Sequence, residues 1–322
     1  MMSKTAYSVV VPVYNEELVI EESYKRIKSV MDSTNESYEI IFVNDGSKDR
    51  TRSKAEQICN RDKNVKLINF SRNFGHQAAI TAGMKLSSGD AVIVIDADLQ
   101  DPPEVMIEMI KKWKEGYDVV YGKRIKREGE SFFKKFTAKA FYRLLKFMTN
   151  IDIPVDAGDF RLIDRKVCNV LSSLPERNRY IRGLVSWAGF KQTAVEFIRQ
   201  ERFAGESKYP LKKMIKLAID GITSFSYKPL TFASLVGGIA TLVGIISTIV
   251  IFLKNIISDE EILSLGFILA VNIAMFGLIL GWIGIMGEYI GRIMDESRGR
   301  PLYIIESILN YKEIPEEYGK NI

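Results

Sequence analysis

The sequence predicts an α/β fold, with a parallel sheet covered by helices on both faces, followed by a pair of membrane-spanning helices. Short apolar, β-branched runs alternate with segments long enough for crossover helices, as is typical of such sheets. The predicted strands are Tyr7–Val13, Tyr38–Asn44, Val65–Phe70 and Ala91–Ile95, with a weaker fifth at Val119–Gly122. The predicted helices are Glu16–Met31, Asp49–Asn60, Gly75–Leu86 and Pro103–Glu115. A length of 322 residues accommodates one such domain and a membrane segment.

The composition sets weak limits on the function. The chain has 45 Lys and Arg residues against 40 Asp and Glu, and this net charge of +5 does not indicate a nucleic-acid partner. Cys59 and Cys168 lack the spacing of a metal site and are interpreted as reduced cytosolic thiols. The apolar run Tyr7–Val11 is too short for a signal peptide. We therefore expect the soluble domain to remain in the cytoplasm.

Polar residues follow the predicted strands at their carboxyl ends, where parallel sheets bind ligands. They are Asn15, Glu16, Asp45, Arg72, Asp96 and Asp98. The turn after the first strand lacks a Gly-x-Gly-x-x-Gly pattern, which counts against a dinucleotide-dependent dehydrogenase. After the fourth strand, Asp101 and Pro102 predict the N-cap and first residue of a helix, supported by Glu104.

The pair Asp96 and Asp98 predicts a metal site. On an extended segment, residues two apart face the same way, and carboxylate oxygens are the ligands that Mg²⁺ or Mn²⁺ prefers. A divalent cation neutralises the charge that develops on a diphosphate leaving group. The pair therefore indicates an enzyme that uses a nucleotide-sugar donor.

The C-terminal third predicts a membrane anchor. Two stretches, about 229–253 and 263–287, exceed the roughly 20 apolar residues that cross a bilayer. Residues 210–228 form a basic amphipathic pattern that either lies on an anionic membrane or packs on the domain; its position before a span favours the membrane. Basic residues flank the pair and the link, residues 254–262, is acidic. The positive-inside rule then places both termini in the cytoplasm.

These features divide the chain into four parts. They are a catalytic domain over residues 1–209, a juxtamembrane helix over 210–228, a transmembrane hairpin within 229–290 and a cytoplasmic tail over 291–322. The spacing of Gly277 and Gly281 permits close packing either within the hairpin or in a homo-oligomer such as a tetramer. Asn272, inside the second span, is expected to bond a neighbouring helix.

Four motifs carry a resemblance that covers essentially the whole chain. They are Val10–Glu16, Asn44–Ser47, Asp96–Pro103 and Gly205–Tyr209. Together they resemble the inverting family 2 glycosyltransferases of Rossmann-like GT-A fold. More narrowly, they resemble the polyprenyl-phosphate glycosyltransferases, which include dolichol-phosphate mannose synthases and bactoprenol glucosyl transferases. The motifs are specific for the family but not for the sugar.

The resemblance implies roles for individual residues. The nucleotide-sugar pocket would be formed by Pro12, Tyr14, Glu16, Asp45, Asp96, Ala97 and Lys208, with Asp45 on the base. The ligands of Mg²⁺ or Mn²⁺ would be Asp96, Asp98 and Gln100. The acceptor phosphate would contact Arg124, Arg161 and Arg202. The catalytic residues would be Asp159 and Arg202.

Several of these residues have plainer interpretations. The sequence after Asp45 could form only a turn, although its place behind a buried strand favours a functional role. Arg124 and Arg127 are either solvated or bind the lipid phosphate. His76, the single histidine, is expected to order the loop after the third strand rather than to transfer a proton.

The proposed base needs separate treatment. Asp156 competes with Asp159 for this role, and the motif match favours Asp159. A phosphate monoester has a second pKa of about 6, so the acceptor is largely ionised at neutral pH and has little proton to lose. Asp159 could therefore orient the acceptor or hold nearby arginines instead of acting as a base.

The sequence thus predicts a metal-dependent, inverting transferase on the cytoplasmic face of the cell membrane. It would move glucose from UDP-glucose to polyprenyl phosphate and form a β-linked product. The alternatives are UDP-GlcNAc or another UDP-sugar donor with the same acceptor, and an inactive membrane assembly protein. A processive polysaccharide synthase is disfavoured, because the sequence has no Gln-x-x-Arg-Trp motif and only two spans.

Overall fold

The structure, a computed structural model, describes residues 5–126, 154, 157–200, 223, 226–257 and 265–311. Its strands are β1 Tyr7–Val13, β2 Tyr38–Asn44, β3 Val65–Phe70, β4 Ala91–Val94, β5 Val119–Lys126, β6 Ala157–Asp164, β7 Gln192–Ile198 and β8 Ile305–Leu309. Its helices are α1 Ile20–Asp32, α2 Thr51–Arg61, α3 His76–Leu86, α4 Val105–Lys114, α5 Arg165–Ser173, α6 Ile181–Trp187, α7 Lys228–Ile257 and α8 Leu265–Ser297. The predicted α/β class is confirmed, and β1, β2 and β3 have the predicted bounds.

The strands form one mixed sheet in the order β7-β5-β6-β4-β1-β2-β3-β8. Strands β3, β2, β1 and β4 pair in parallel, as predicted. Strand β6 runs antiparallel to both β4 and β5, and β8 runs antiparallel to β3. The fifth predicted strand, β5, pairs in parallel with β7. The sheet is therefore mixed, because β6 and β8 run against the other strands. Residues 123–210 show weaker periodicity, so the sequence does not predict β6 and β7, and β8 lies in the region predicted as a tail.

Alternation along the central strands divides the core into two layers. Val9, Val11 and Val13 of β1 pack into one buried cluster, beside residues of α1, α2 and α4. Val10 faces the other side, toward α3, α5 and α6. Because both faces are covered, these strands are apolar at nearly every position.

The helix after β4 begins later than predicted. Helix α4 starts at Val105 with Glu104 in the N-cap position and no side-chain cap hydrogen bond. Asp101 lies before the helix and is 1% exposed. Its carboxylate accepts hydrogen bonds from Arg124 Nη2, at 3.0 and 3.2 Å. A long-range ion pair therefore uses the side chain that the local pattern assigned to a helix cap.

The residues after α8 return to the catalytic domain. Tyr303 stacks on Phe70 of β3, with ring centroids 5.1 Å apart. Strand β8 then pairs with β3, and Asn310 Nδ2 donates to the carbonyls of Cys59 and Val65, both at 2.7 Å. The region predicted as a separate tail from residue 291 therefore supplies an edge strand of the sheet.

Helices α7 and α8 match the two predicted spans. Among the described residues, Lys228–Ser247 and Val271–Ser297 are long and apolar enough to cross a membrane, with mean hydropathies of 2.0 and 1.7. Asn272 Nδ2 donates to the carbonyl of Ile268 in its own helix at 2.9 Å, instead of to the neighbouring helix as expected. Residues 254–257 of the predicted link belong to α7. The rest of the link, 258–262, and most of the predicted juxtamembrane helix lie outside the described residues.

The buried carboxylate of Glu39 joins strands at the end of the sheet opposite the predicted ligand site. The Glu39 carboxylate, 4% exposed, accepts from Ser8 Oγ at 2.5 Å and from the Ser88 backbone N–H at 2.6 Å. It also forms an ion pair with Lys66. Burial alone would raise the pKa of Glu39, but these partners outweigh it and hold the pKa below its ordinary value of 4.5.

We expect Glu39→Gln to lower the free energy of unfolding by about 2 kcal/mol or more at pH 7, because Lys66 loses its buried counter-charge. Since the folded pKa is depressed, this stabilisation is complete above pH 4.5 and is lost as the pH falls through the lower, folded value. Denaturation curves should therefore converge at acidic pH. The exposed pair of Glu36 and Lys114 is the control, and Glu36→Gln should cost under about 1 kcal/mol. Equal effects of the two variants would contradict this account.

Candidate active site

The loops after β1 and β2 bind each other and form one side of the predicted donor pocket. The Asn15 backbone N–H donates to Ser47 Oγ at 3.0 Å, and Asn15 Oδ1 accepts from the Lys48 N–H at 2.8 Å. The Glu16 N–H donates to Thr51 Oγ1 at 2.7 Å. Of the other residues predicted to line the pocket, Pro12 is buried in β1, and Tyr14 and Glu16 are half-buried beyond its end.

Asp45 organises the loop that leads into α3. It is 3% exposed, and its carboxylate accepts from the backbone N–H groups of Phe74 at 2.6 Å and Gly75 at 3.0 Å. Burial raises the pKa of Asp45, and these hydrogen bonds only partly offset that effect. Gly46 has a φ of +66° and a Cβ there would lie 2.4 Å from the Arg72 carbonyl carbon, so only glycine fits. The contact of Asp45 with a nucleotide base stays a prediction.

Asp96 and Asp98 lie in a tight turn beyond β4, not on an extended segment as expected. Leu99 has a φ of +59°, an uncommon conformation for a residue with a side chain. Asp98 is 8% exposed, and its Oδ1 accepts from the Gln100 N–H at 3.1 Å. The side chain of Asp96 is 35% exposed, and Ala97 between them is buried. The turn therefore leaves Asp96 half-buried while it holds Asp98 against the backbone.

His76 bridges two carboxylates at the start of α3. Its Nε2 lies 3.4 Å from Asp96 Oδ1 and 3.3 Å from Asp159 Oδ2. Burial disfavours the imidazolium, but the two carboxylates outweigh burial and raise the pKa of His76 to about 9. For Asp96, burial and the charges of Asp98, Asp101 and Asp159 raise the pKa to about 6. The interpretation of His76 as a loop-ordering residue missed this contact between elements.

The cluster of carboxylates fits a divalent cation. Asp96 and Asp98 supply hard oxygen donors, and the crowding that raises the pKa of Asp96 is relieved by positive charge. Among the described residues no group of three or more His, Cys, Asp or Glu side chains that could hold a metal ion occurs. Gln100 Oε1 accepts from Arg199 Nη2 at 2.7 Å, so it can bind a cation only if that contact opens.

A second group of charges surrounds Asp159 on β6. Asp159 is 7% exposed and accepts from Arg182 Nε at 2.8 Å and Arg182 Nη2 at 3.0 Å. Although burial opposes ionisation, Arg182 and His76 hold the pKa of Asp159 well below its ordinary value. Asp159 is thus a carboxylate over the whole neutral range.

Arg161 lies two residues further along β6, on the same face as Asp159. It is 3% exposed; its Nη2 donates to the Gly158 carbonyl at 2.8 Å, and its Nε–H has no partner among the described residues. Burial lowers the pKa of Arg161 to about 10, so it stays cationic at neutral pH. An unused buried donor of this kind suits an anionic ligand.

The structure adds residues that sequence reasoning missed. Arg182 is the main partner of Asp159, and Gln77 joins them: its Nε2 lies 3.4 Å from Asp159 Oδ2, and its Oε1 accepts from the Ile181 N–H at 2.9 Å. Arg199 on Gln100 is the third. The one available signal was that Gln77 directly follows His76 at a predicted helix start. The predicted site residues Arg202 and Lys208, together with Asp156 and Arg127, lie outside the described residues.

Comparison with known proteins identifies the family. Residues 8–171 match Glycosyl transferase family 2. An uncharacterized glycosyltransferase of Bacillus subtilis, YkcC, is 58% identical over 93% of each chain. A bactoprenol glucosyl transferase of Shigella phage SfV is 40% identical over 93% of this chain and 98% of its own. Among solved structures, glucosyl-3-phosphoglycerate synthase from Mycobacterium tuberculosis in complex with uridine diphosphate is similar with a TM-score of 0.47, at 20% identity over 68% of this chain and 78% of that one.

The matched residues contain every strand from β1 to β6 and all the described acidic residues of the site. The relatives extend the match across the two apolar helices, since they cover 93% of the chain. The resemblance drawn from the motifs is therefore confirmed, and with it the GT-A class of the α/β domain. The chain belongs to glycosyl transferase family 2 and is a glycosyltransferase.

Proposed function

We propose that this enzyme transfers glucose from UDP-glucose to polyprenyl phosphate, with inversion, at the cytoplasmic face of the cell membrane. The proposal depends on one observation: one site contains both an acidic turn, at Asp96, and a buried basic group, at Arg161. The acidic turn at Asp96 suits a metal-bound diphosphate, and the buried guanidinium of Arg161 suits an anionic acceptor; His76 and Asp159 lie between them. The bactoprenol glucosyl transferases similar to this chain support that acceptor and that sugar.

On the donor side, Pro12, Tyr14, Glu16 and Asp45 would line the nucleotide pocket. Asp96 and Asp98 would hold Mg²⁺ or Mn²⁺. The bound ion would supply positive charge that stabilises the departing diphosphate. The protein positions these carboxylates through the turn at residues 96–100 and the long-range contacts of its neighbours, so the site needs little rearrangement when donor binds.

On the acceptor side, Arg161 and Arg182 would bind the phosphate of the lipid, with Arg124 and Arg202 completing the charge. The acceptor oxygen is already anionic at neutral pH, so its attack requires alignment more than deprotonation. Asp159 would fix the positions of Arg161 and Arg182 relative to each other. In this account the carboxylate orients the acceptor, in agreement with its depressed pKa.

The membrane arrangement supports a lipid acceptor. The start of α7 lies beside the end of α8, since Tyr289 Oη donates to the carbonyl of Ser226 at 2.7 Å, and the chain after α8 returns to the catalytic domain as β8. Both ends of the hairpin therefore lie on the side of the catalytic domain. Because the basic flanks favour the cytoplasm, this side would be the one that holds soluble UDP-sugar. The site would then face a lipid phosphate at the inner leaflet.

The direct test is to incubate the purified full-length protein with polyprenyl phosphate and, separately, UDP-glucose, UDP-GlcNAc and other UDP-sugars, and to weigh the lipid by mass spectrometry. We expect a mass gain of one hexose with UDP-glucose. A gain of one N-acetylhexosamine would replace the donor and keep the acceptor. Release of UDP without modified lipid would overturn the acceptor, and no turnover of any donor would favour the assembly protein.

A further inference from the structure

A short segment connects the end of membrane helix α8 to the centre of the active site. We call residues 174–182, from Leu174 to Arg182, the strap. At its outer end, the backbone N–H of Arg177 donates to Glu296 Oε1 at 2.7 Å. Glu296 lies in the last turn of α8, where the helix leaves the candidate span. The strap is thus attached to the membrane hairpin by a charge-assisted hydrogen bond.

At its inner end, the strap holds Asp159. The Ile181 N–H donates to Gln77 Oε1 at 2.9 Å, and Arg182 forms two hydrogen bonds with Asp159, at 2.8 and 3.0 Å. Arg182, which contacts Asp159, lies only five positions along the chain from Arg177, which contacts Glu296. Because this segment is short, a displacement of Arg177 is expected to move Arg182 as well.

Leu174 and Ile181 at the two ends of the strap pack on the buried core, whereas polar contacts hold its middle, residues 175–179. A cavity of about 410 Å³ lies between residues 174–179 of the strap and residues 301–305 of the returning chain. The Arg179 guanidinium donates to the carbonyls of Leu171 and Glu176, both at 3.0 Å, and to that of Leu174. Loss of one of these polar anchors should let the strap shift, because the cavity leaves room for it.

We propose that Glu296 is a positioning residue, which sets the orientation of Asp159 and Arg182 through the strap and so couples the membrane hairpin to the active site. This inference rests on the proposed function for the roles of those two residues. The physical warrant is that one short segment carries both contacts, the hydrogen bond of Arg177 with Glu296 on α8 and the hydrogen bonds of Arg182 with Asp159 on β6, beside a cavity that leaves its middle room to move.

The test compares Glu296→Ala, Glu296→Gln and Glu288→Ala in full-length protein reconstituted in lipid nanodiscs. Glutamine keeps an oxygen that accepts the Arg177 N–H, and Glu288 is a control on the same helix, paired with Arg292. We expect Glu296→Ala to lower kcat about tenfold with an unchanged KM for the UDP-sugar. Glu296→Gln should stay within about threefold of the wild type, and Glu288→Ala should equal it.

A second measurement does not depend on turnover. Hydrogen exchange followed by mass spectrometry should show faster exchange across residues 174–182 in Glu296→Ala, and wild-type exchange in Glu288→Ala. Unchanged exchange in the strap, or equal kcat losses in the alanine and glutamine variants, would overturn the proposal. Wild-type protein that leaves polyprenyl phosphate unmodified would overturn the proposed function instead, while the exchange result would still decide the role of Glu296.

Discussion

Asp98→Asn is expected to reduce sugar transfer by about 100-fold or more while the protein stays folded. In the structure Asp98 has a local task, since its Oδ1 accepts the Gln100 N–H at 3.1 Å and closes the turn. Asparagine keeps that oxygen and loses the charge, so the turn survives and the affinity for a cation does not. A metal that stabilises a leaving diphosphate contributes several kcal/mol, and each 1.36 kcal/mol is a factor of ten in rate. Initial rates with a UDP-sugar and polyprenyl phosphate measure the loss.

The same assay includes chelation and a control. Excess chelator should abolish wild-type transfer, and Mg²⁺ or Mn²⁺ should restore it. Asp32→Ala removes a half-exposed carboxylate at the far end of α1 and should leave the rate unchanged. If Asp98→Asn works as well as the wild type, Asp98 acts only in the turn and the metal assignment is wrong. Full activity in chelator would lead to the same conclusion.

Continuous apolar runs made the first half of the domain predictable. Strands β1, β2 and β3 are buried on both faces and flanked by polar turns, so local sequence determines their bounds. The placement of Asp45 and Asp96 at the carboxyl ends of parallel strands followed from topology alone. Sequence periodicity could not reveal that the Asp45 carboxylate accepts hydrogen bonds from the backbone of the loop before α3.

The second half depends on contacts between distant residues. Asp101 matched the pattern of a helix cap, but its carboxylate instead pairs with the guanidinium of Arg124, 23 positions away. Strand β8 is too short to be predicted from its own sequence, and it forms only because it pairs with β3, which precedes the membrane hairpin in the chain. Arg182 looked like one more arginine in a basic region, because nothing local marks it as the partner of Asp159. In each case the determining interaction is long-range, and a pattern read along the chain does not contain it.

Asp159→Asn should keep measurable transfer, lower than the wild type by about 10- to 100-fold. Asparagine retains an oxygen for Arg182 but loses a charge-assisted pair, which is worth about 1.5–3 kcal/mol. Because Arg182 and His76 keep the pKa of Asp159 well below neutrality, Asp159 does not titrate where the acceptor phosphate does, near pH 6. The rate of the variant should therefore rise with acceptor ionisation and recover part of its loss above pH 7.

Arg182→Gln separates orientation from proton removal. If Asp159 orients the acceptor through Arg182, this variant should lose as much activity as Asp159→Asn, and the double variant should lose little more, because both changes break one unit. If Asp159 is an obligatory base, Asp159→Asn should be as inactive as Asp98→Asn at every pH from 5.5 to 8.5, with Arg182→Gln far more active. Binding of UDP-sugar, measured by calorimetry, should be retained in Asp159→Asn, in Arg182→Gln and in the double variant. Retained binding would show that the lost rate arises on the acceptor side. We expect the first pattern, because Arg182 and the His76 imidazolium hold Asp159 ionised and so make it a weak base, and because the acceptor phosphate has already lost its proton.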